Sequence, residues 1–378
     1  MTESDQPFPD KAPESSPVEP HVPIPVPEQD PGKRPARRVR YAGTHPRKFH
    51  EKYKELARDR YAADVEKILK SGKTPAGTHR PIMVDEILQV LAPQAGERGI
   101  DCTLGFGGHA QQLLRAIQPD GCLLGIDADP IELPKTEARL RSAGFPAETL
   151  MVQRTNFAAL PGLIPAFLPG GADFLMADLG LSSMQIDDPA RGFTFKVDAP
   201  LDMRMNPSRG PSAAEFLAKI DERGLAKLLE DAADEPCAEP LARGLITAQQ
   251  ISAFITTGQL AEAVRRVLAT IGSLDEEDVS STIRRVFQAI RIAVNDEFST
   301  LDILLKSIPQ CVKPGGRIAI LTFHSGEDRR VKKAFQAGLA SGVYREISSE
   351  VMRATPQERH DNPRSIPAKL RWAIRSSS

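Results

Sequence analysis

"DCTLGFGGHAQQLL", residues 101–114, decides how the chain is read. An acid closes a short apolar run, glycines occupy positions 105, 107 and 108, and His109 opens an apolar run with helical spacing. A glycine turn between strand and helix lets backbone approach a bound group without interference from Cβ atoms. Upstream, "IMVDEILQVLAP" (82–93) is amphipathic and stops at a proline, so it reads as a helix. Downstream, strands are expected at "GCLLGIDAD" (121–129, ending in Asp127), "ETLMVQRTN" (148–156), "ADFLMADLG" (172–180, ending in Asp178) and "GGRIAILTFHS" (315–325, ending at Phe323 and His324). Helical runs such as "HAQQLLRAI" (109–117) and "IELPKTEARLRSAG" (131–144) lie between them. Strands alternating with helices imply an α/β fold, a Rossmann-like doubly wound sheet that is mostly parallel. "REISSEVMRAT" (345–355) and "AKLRWAIR" (368–375) alternate and predict a closing antiparallel hairpin.

The chain has 378 residues and 40% hydrophobic residues, enough for two domains or one domain with a large insertion. Residues 1–35 are rich in Pro, Glu, Asp and Ser and are expected to be disordered, because they have little apolar surface to bury. Residues 36–75 form a basic extension in which Tyr41, Phe49 and Tyr53 are interleaved with Arg and Lys, a mix that screens phosphates and stacks on bases. Well over a hundred residues separate the fourth and fifth strands, far more than a crossover needs. The spacing predicts an inserted helical subdomain over 205–290, carried on a sheet domain built from 76–204 and 291–378. No apolar run approaches the roughly 18 residues of a membrane helix. Four cysteines lie in no metal-binding pattern, and no metal is expected. They read as reduced thiols of a cytoplasmic protein. The net charge of −1 points to no particular partner.

In an open parallel sheet, ligands bind beyond the carboxyl ends of the strands. Asp101, the glycine turn, Asp127, Asp178 and His324 are all expected there. The turn reads G-x-G-G, not the G-x-G-x-x-G of dinucleotide sites, and it holds no basic residue. Three carboxylates around such a turn repel a diphosphate. They suit ribose hydroxyls, an ammonium group and a sulfonium, which favours S-adenosylmethionine over a nicotinamide dinucleotide. Asp127 is placed to take both hydroxyls of a ribose, Phe157 to pack on an adenine, and Gln185 to reach the same pocket. A non-catalytic RNA-binding or assembly protein with a relic pocket stands as the alternative from another class.

Seven stretches in order carry a further resemblance: "HRPIMVDEIL" (79–88), "DCTLGFGGHAQQLL", "GIDADP" (125–130), residues 177–210, "RVFQAIRIAVNDE" (285–297), "PGGRIAILTFHSGEDRRVKKAF" (314–335) and "NPRSIPAKLRWAIR" (362–375). Together they resemble the RsmH (MraW) family of bacterial S-adenosylmethionine-dependent methyltransferases, which act on N4 of a cytidine in the decoding region of 16S rRNA. The polar loop from Asp178 to Arg209 is the most specific of them. The resemblance implies a class I methyltransferase sheet with an inserted helical domain, and the small ribosomal subunit as partner. It implies cofactor contacts at Gly107, Gly108, His109, Asp127, Phe157, Asp178 and Gln185. This sequence carries Gly326 where the family usually has an apolar residue. Pro236 and Pro240 are expected to delay or kink a helix that the family keeps unbroken.

For catalysis, His324 and Asp178 are the candidate acceptors for the proton of an amine substrate. Glu327, Asp328 and Arg329 read as capping and pairing residues at the next helix start. Arg191, Arg204, Arg291, Arg329 and Lys332 are the candidate RNA contacts.

Overall fold

The computed structural model describes residues 81–272 and 275–377. The expectations for residues 1–35 and for the basic extension at 36–75 lie outside the described residues. In chain order the elements are α1 (Val84–Leu91), β1 (Arg98–Asp101), α2 (Gly108–Ala116), β2 (Cys122–Asp127), α3 (Glu132–Ser142), β3 (Leu150–Arg154), α4 (Leu160–Phe167), β4 (Ala172–Asp178) and the short α5 (Ser183–Asp187). A helical run follows: α6 (Ala213–Leu217), α7 (Glu222–Ala233), α8 (Ala238–Ile251), α9 (Thr257–Ile271) and α10 (Glu276–Val294). The chain then returns through α11 (Glu297–Cys311), β5 (Val312–Thr322), α12 (Ser325–Ala340), β6 (Tyr344–Ile347), α13 (Pro356–Asp361) and β7 (Lys369–Arg375).

The seven strands form one sheet in the order β3-β2-β1-β4-β5-β7-β6. β1 to β5 run parallel, and β7 pairs antiparallel with both β5 and β6. The closing pair is therefore present, but it is joined by a long excursion containing α13 rather than by a tight turn. The apolar runs of β1, β2 and β4 follow from their place: a central parallel strand is covered on both faces. One face packs Ile100, Leu124, Leu175 and Ile320 against α4, α11 and α12, and the other packs Leu123, Phe174, Met176 and Leu321 against α1, α2 and α3. β5 ends at Thr322, two residues before the sequence reading placed its end, because His324 already caps α12 in extended conformation.

Helices α6–α10 enclose a separate core that runs from Leu201 to Ile292 and includes Leu229, Leu241, Val264, Val286 and Ile290. Their ends are set locally. Ser212 with Glu215, and Thr256 with Gln259, make reciprocal capping boxes, and Asp275 caps α10. α8 begins after Pro236 and takes Pro240 in its first turn, where the missing N–H has no intrahelical acceptor to lose. The helical periodicity that runs on past Val294 is split into two helices at Asn295 and at Asp296, whose φ of 49° is left-handed. The Asn295 side chain stabilises the break: its amide donates to Met203 O and Arg291 O, and its oxygen accepts from Met205 N. No helix among the described residues is long and apolar enough to cross a membrane.

Candidate active site

The strand order reverses direction between β1 and β4, and in an open parallel sheet ligands bind at such a switch point, beyond the carboxyl ends. Asp101, Asp127 and Asp178 end β1, β2 and β4 there. Thr103 ties two of these strand ends together. Its N–H donates to Asp101 Oδ1 (3.0 Å), and its hydroxyl accepts from Asp178 N (2.6 Å). Asp127 accepts from Gly105 N (2.7 Å) on one oxygen and from Asp129 N (2.8 Å) on the other. Gly107 then caps α2 at a φ of 80°, and a Cβ there would lie 2.9 Å from Thr136 Cγ2. A side chain at position 107 is excluded both by backbone strain and by contact.

Burial leaves these carboxyl groups reluctant to ionise. Desolvation, with help from Asp127, pushes Asp101 up to about 7 despite the Thr103 N–H that opposes the shift. Desolvation and the charges of Asp101 and Glu327 push Asp178 up to about 8, and burial also raises Asp127. His109 moves the other way, to about 4, because burial disfavours the imidazolium. His109 Nε2 lies 2.9 Å from Ile82 O, and a carbonyl only accepts, so Nε2 carries the hydrogen. Nδ1 then presents a lone pair to Asp178 Oδ2 at 3.5 Å. At neutral pH this contact joins a neutral ring to a protonated acid and is not an ion pair.

Gly108, Phe157 and Gln185 each follow a strand, at the starts of α2, of a 3-10 turn after β3 and of α5. Gly108 follows Gly107 in the first turn of α2, against Pro81. Phe157 opens a short 3-10 turn after β3, half-buried against the core of the sheet. Gln185 is more committed than its sequence position suggests. Its oxygen accepts from Ser182 N in a capping box, and its amide donates to Asp129 Oδ2 (2.7 Å). Asp129, only 1% exposed, was absent from the sequence reading. It caps the start of α3 through Ile131 N and Glu132 N, and its second oxygen also receives Arg191 Nη1 (2.9 Å). Arg191 continues to Met205 O (2.7 Å), so one buried acid pins the polar loop to the second strand end. The only sequence signal was the repeat of Asp at 127 and 129 in "GIDADP".

Two expected RNA contacts are corrected by this geometry. Arg191 is buried against Asp129, and Arg291 grips Glu297 through Nε (2.8 Å) and Nη2 (2.9 Å) with little of its side chain exposed. A guanidinium buried on a carboxylate has no face left for a phosphate. Arg204 is chelated by Asp202 and partly exposed, Arg329 pairs at the surface with Asp234, and Lys332 is exposed on α12 without an ion pair among the described residues.

His324 follows β5 as the cap residue of α12, with its ring against Phe298 (centroids 5.8 Å apart). Glu327 does cap that helix start, accepting from Phe323 N (2.9 Å), while Asp328 reaches across to Arg371 and Lys369 of β7.

An open sheet in this order, with a reversed β7 and acids ringing a glycine turn at the switch point, defines a class I methyltransferase. A family model described as the MraW methylase family matches residues 76–376. The chain is 44% identical to ribosomal RNA small subunit methyltransferase H 1 of Lachnoclostridium phytofermentans, over 90% of this chain and 93% of that protein. It is 46% identical to ribosomal RNA small subunit methyltransferase H 2 of Alkaliphilus metalliredigens, over 90% and 97%. Against ribosomal RNA small subunit methyltransferase H of Rubrobacter xylanophilus it is 39% identical over 80% and 97%. The chain belongs to the MraW methylase family.

Proposed function

We propose that the protein methylates N4 of a cytidine in 16S rRNA of the small ribosomal subunit, in the cytoplasm, with S-adenosylmethionine as donor. The observation that carries this reading is the acid rim: a buried Asp101 and half-buried Asp127 and Asp178 at adjacent strand ends, around a turn without a basic residue. The donor set fits that cofactor. Asp127 retains lone pairs beyond its two backbone bonds for ribose hydroxyls, and Asp101 and Asp178 await a positive charge. A diphosphate would meet these carboxyl groups at the strand ends, with no basic residue in the turn itself. When bound, the cofactor supplies a methyl group on a positively charged sulfur.

The chain's own residues supply binding and orientation. Gly107 and Gly108 permit close approach of the cofactor. His109 is held by Ile82 O and in turn orients Asp178. Phe157 supplies an apolar face, and Gln185 buttresses the rim through Asp129. Orientation of the amine is the main barrier-lowering effect available without a metal. The amine must then lose a proton, and His324 is the acceptor, with Asp178 beside the reacting groups. The helices over 205–290 form the substrate-binding subdomain. Arg204, Arg329 and Lys332 contribute phosphate contacts, and the basic extension at 36–75 adds an RNA arm. The target cytosine must leave its stack to reach the crevice.

Calorimetry with S-adenosylmethionine and with NAD tests the cofactor. Mass spectrometry of 16S rRNA from cells with and without the gene reports the modified base and its position. A loss of N4-methylcytidine is expected; an unchanged digest refutes the assignment.

A further inference from the structure

The side chain of His324 is 10% exposed, and neither ring nitrogen makes an aligned hydrogen bond to the described residues although both are shut off from solvent. An imidazole left in that condition needs a reason in its surroundings. Its Nε2 lies 3.2 Å from Glu327 Oε1, and the Glu327 side chain is 4% exposed. Burial opposes charge on Glu327, yet His324, Arg291 and the Phe323 N–H together hold it below the usual carboxylate range. An anion therefore faces Nε2. A lone pair there would repel it, so the hydrogen sits on Nε2 and the lone pair on Nδ1.

Gly326 and Phe298 flank Nδ1. A Cβ at Gly326 would lie 3.2 Å from Nδ1 and 2.5 Å from Phe298 Cζ, so the small residue at 326 lets Phe298 pack on the ring without crowding the nitrogen. Arg330 covers that phenyl ring, its guanidinium carbon 3.7 Å from the centroid. The charged groups around His324 are Glu327 on α12, Glu297 on α11 with Arg291 from α10, and Asp234 after α7; the further titratable group is Asp178, which feels the charge of Glu327. Ligand atoms of Glu297, His324 and Glu327 lie within 4.8 Å of one another, but Arg291 already holds both oxygens of Glu297 and supplies the positive charge a metal would bring.

We propose that Glu327 is the positioning residue of the proton acceptor: it holds the hydrogen on Nε2 of His324 and leaves the Nδ1 lone pair to receive the proton from the exocyclic amine. This rests on the reading of His324 given above. The amine nitrogen keeps the electron pair of its broken N–H bond, which returns to conjugation with the ring. Nδ1 gains the proton, and the imidazolium is paired by Glu327.

Nitrogen-15 labelling of the histidines in the full-length protein reads the tautomer directly, through the two-bond couplings from ring nitrogens to ring protons. His324 is expected as the Nε2–H form, with Nδ1 unprotonated. In Glu327→Gln, whose amide still accepts from Phe323 N–H, the Nδ1–H form should become populated. There kcat should fall roughly tenfold or more, with KM for RNA and the Kd of S-adenosylmethionine changed less than about twofold. Glu327→Asp, which keeps the charge, should recover part of the loss. An Nδ1–H tautomer in the wild type, or a Glu327→Gln protein with unchanged tautomer and kcat, overturns the proposal. Unchanged kcat in His324→Ala instead overturns the reading of His324 as acceptor, whatever the tautomer.

Discussion

Binding of a cation at the acid rim should expel protons, and the number can be worked out. With Asp178 at about 8 and Asp101 at about 7, roughly nine-tenths and about half of these groups carry a proton at pH 7. A positive charge within hydrogen-bonding range lowers a carboxyl pKa by about 1–3 units. S-adenosylmethionine at pH 7 should therefore release about one proton. Its affinity should rise with pH, on the order of a hundredfold between pH 6 and pH 8, and level off above the raised value of Asp178. Calorimetry in buffers of different ionisation heat measures the release. S-adenosylhomocysteine, whose sulfur is neutral, should release clearly less, and Asp178→Asn should remove most of the signal. Heats that do not depend on the buffer at pH 7, equal release by both ligands, or affinity that falls as pH rises would each refute the account of the rim.

The same groups set a pH dependence of stability without ligand. Carboxyl groups with raised folded-state values bind more protons folded than unfolded, so the stability they contribute is present at low pH and lost as pH rises toward 8. The Tm of the ligand-free protein should fall between pH 5 and pH 8, and Asp178→Asn should flatten that fall. Arg191→Ala leaves Asp129 charged and buried and frees the polar loop; a loss of about 3–5 kcal/mol is expected in denaturant unfolding, together with faster proteolysis between residues 183 and 206. Gly107→Ala meets both a positive φ and Thr136, and should cost about 1–2 kcal/mol while weakening S-adenosylmethionine binding in calorimetry.

Much of the sheet was legible because its signals are local. Each of β1 to β5 is an apolar run, and β1, β2 and β4 end in acids, a pattern that shows the strand and its carboxyl end together. The break at Asn295 was not legible, because Asn295 and Asp296 interrupt an otherwise continuous helical periodicity by only two residues. What stabilises the break is a set of bonds to Met203 and Met205, some ninety positions away. The assignments of Arg191 and Arg291 failed for a related reason. An arginine in a polar loop, or on an amphipathic helix, looks the same in sequence whether it faces water or a buried acid.

The order of residues alone determined the alternation of strands and helices, the glycine turn, the acids at strand ends and the family to which the chain belongs, since these depend on period, turn chemistry and short spacing. Only the tertiary structure decided which charges oppose each other. It set Asp178 close to the buried Asp101, satisfied Asp129 with Arg191 and Gln185, and set Glu327 against His324. Ionisation depends on burial and on the sign of the nearest charge, and both are properties of contacts made across the fold.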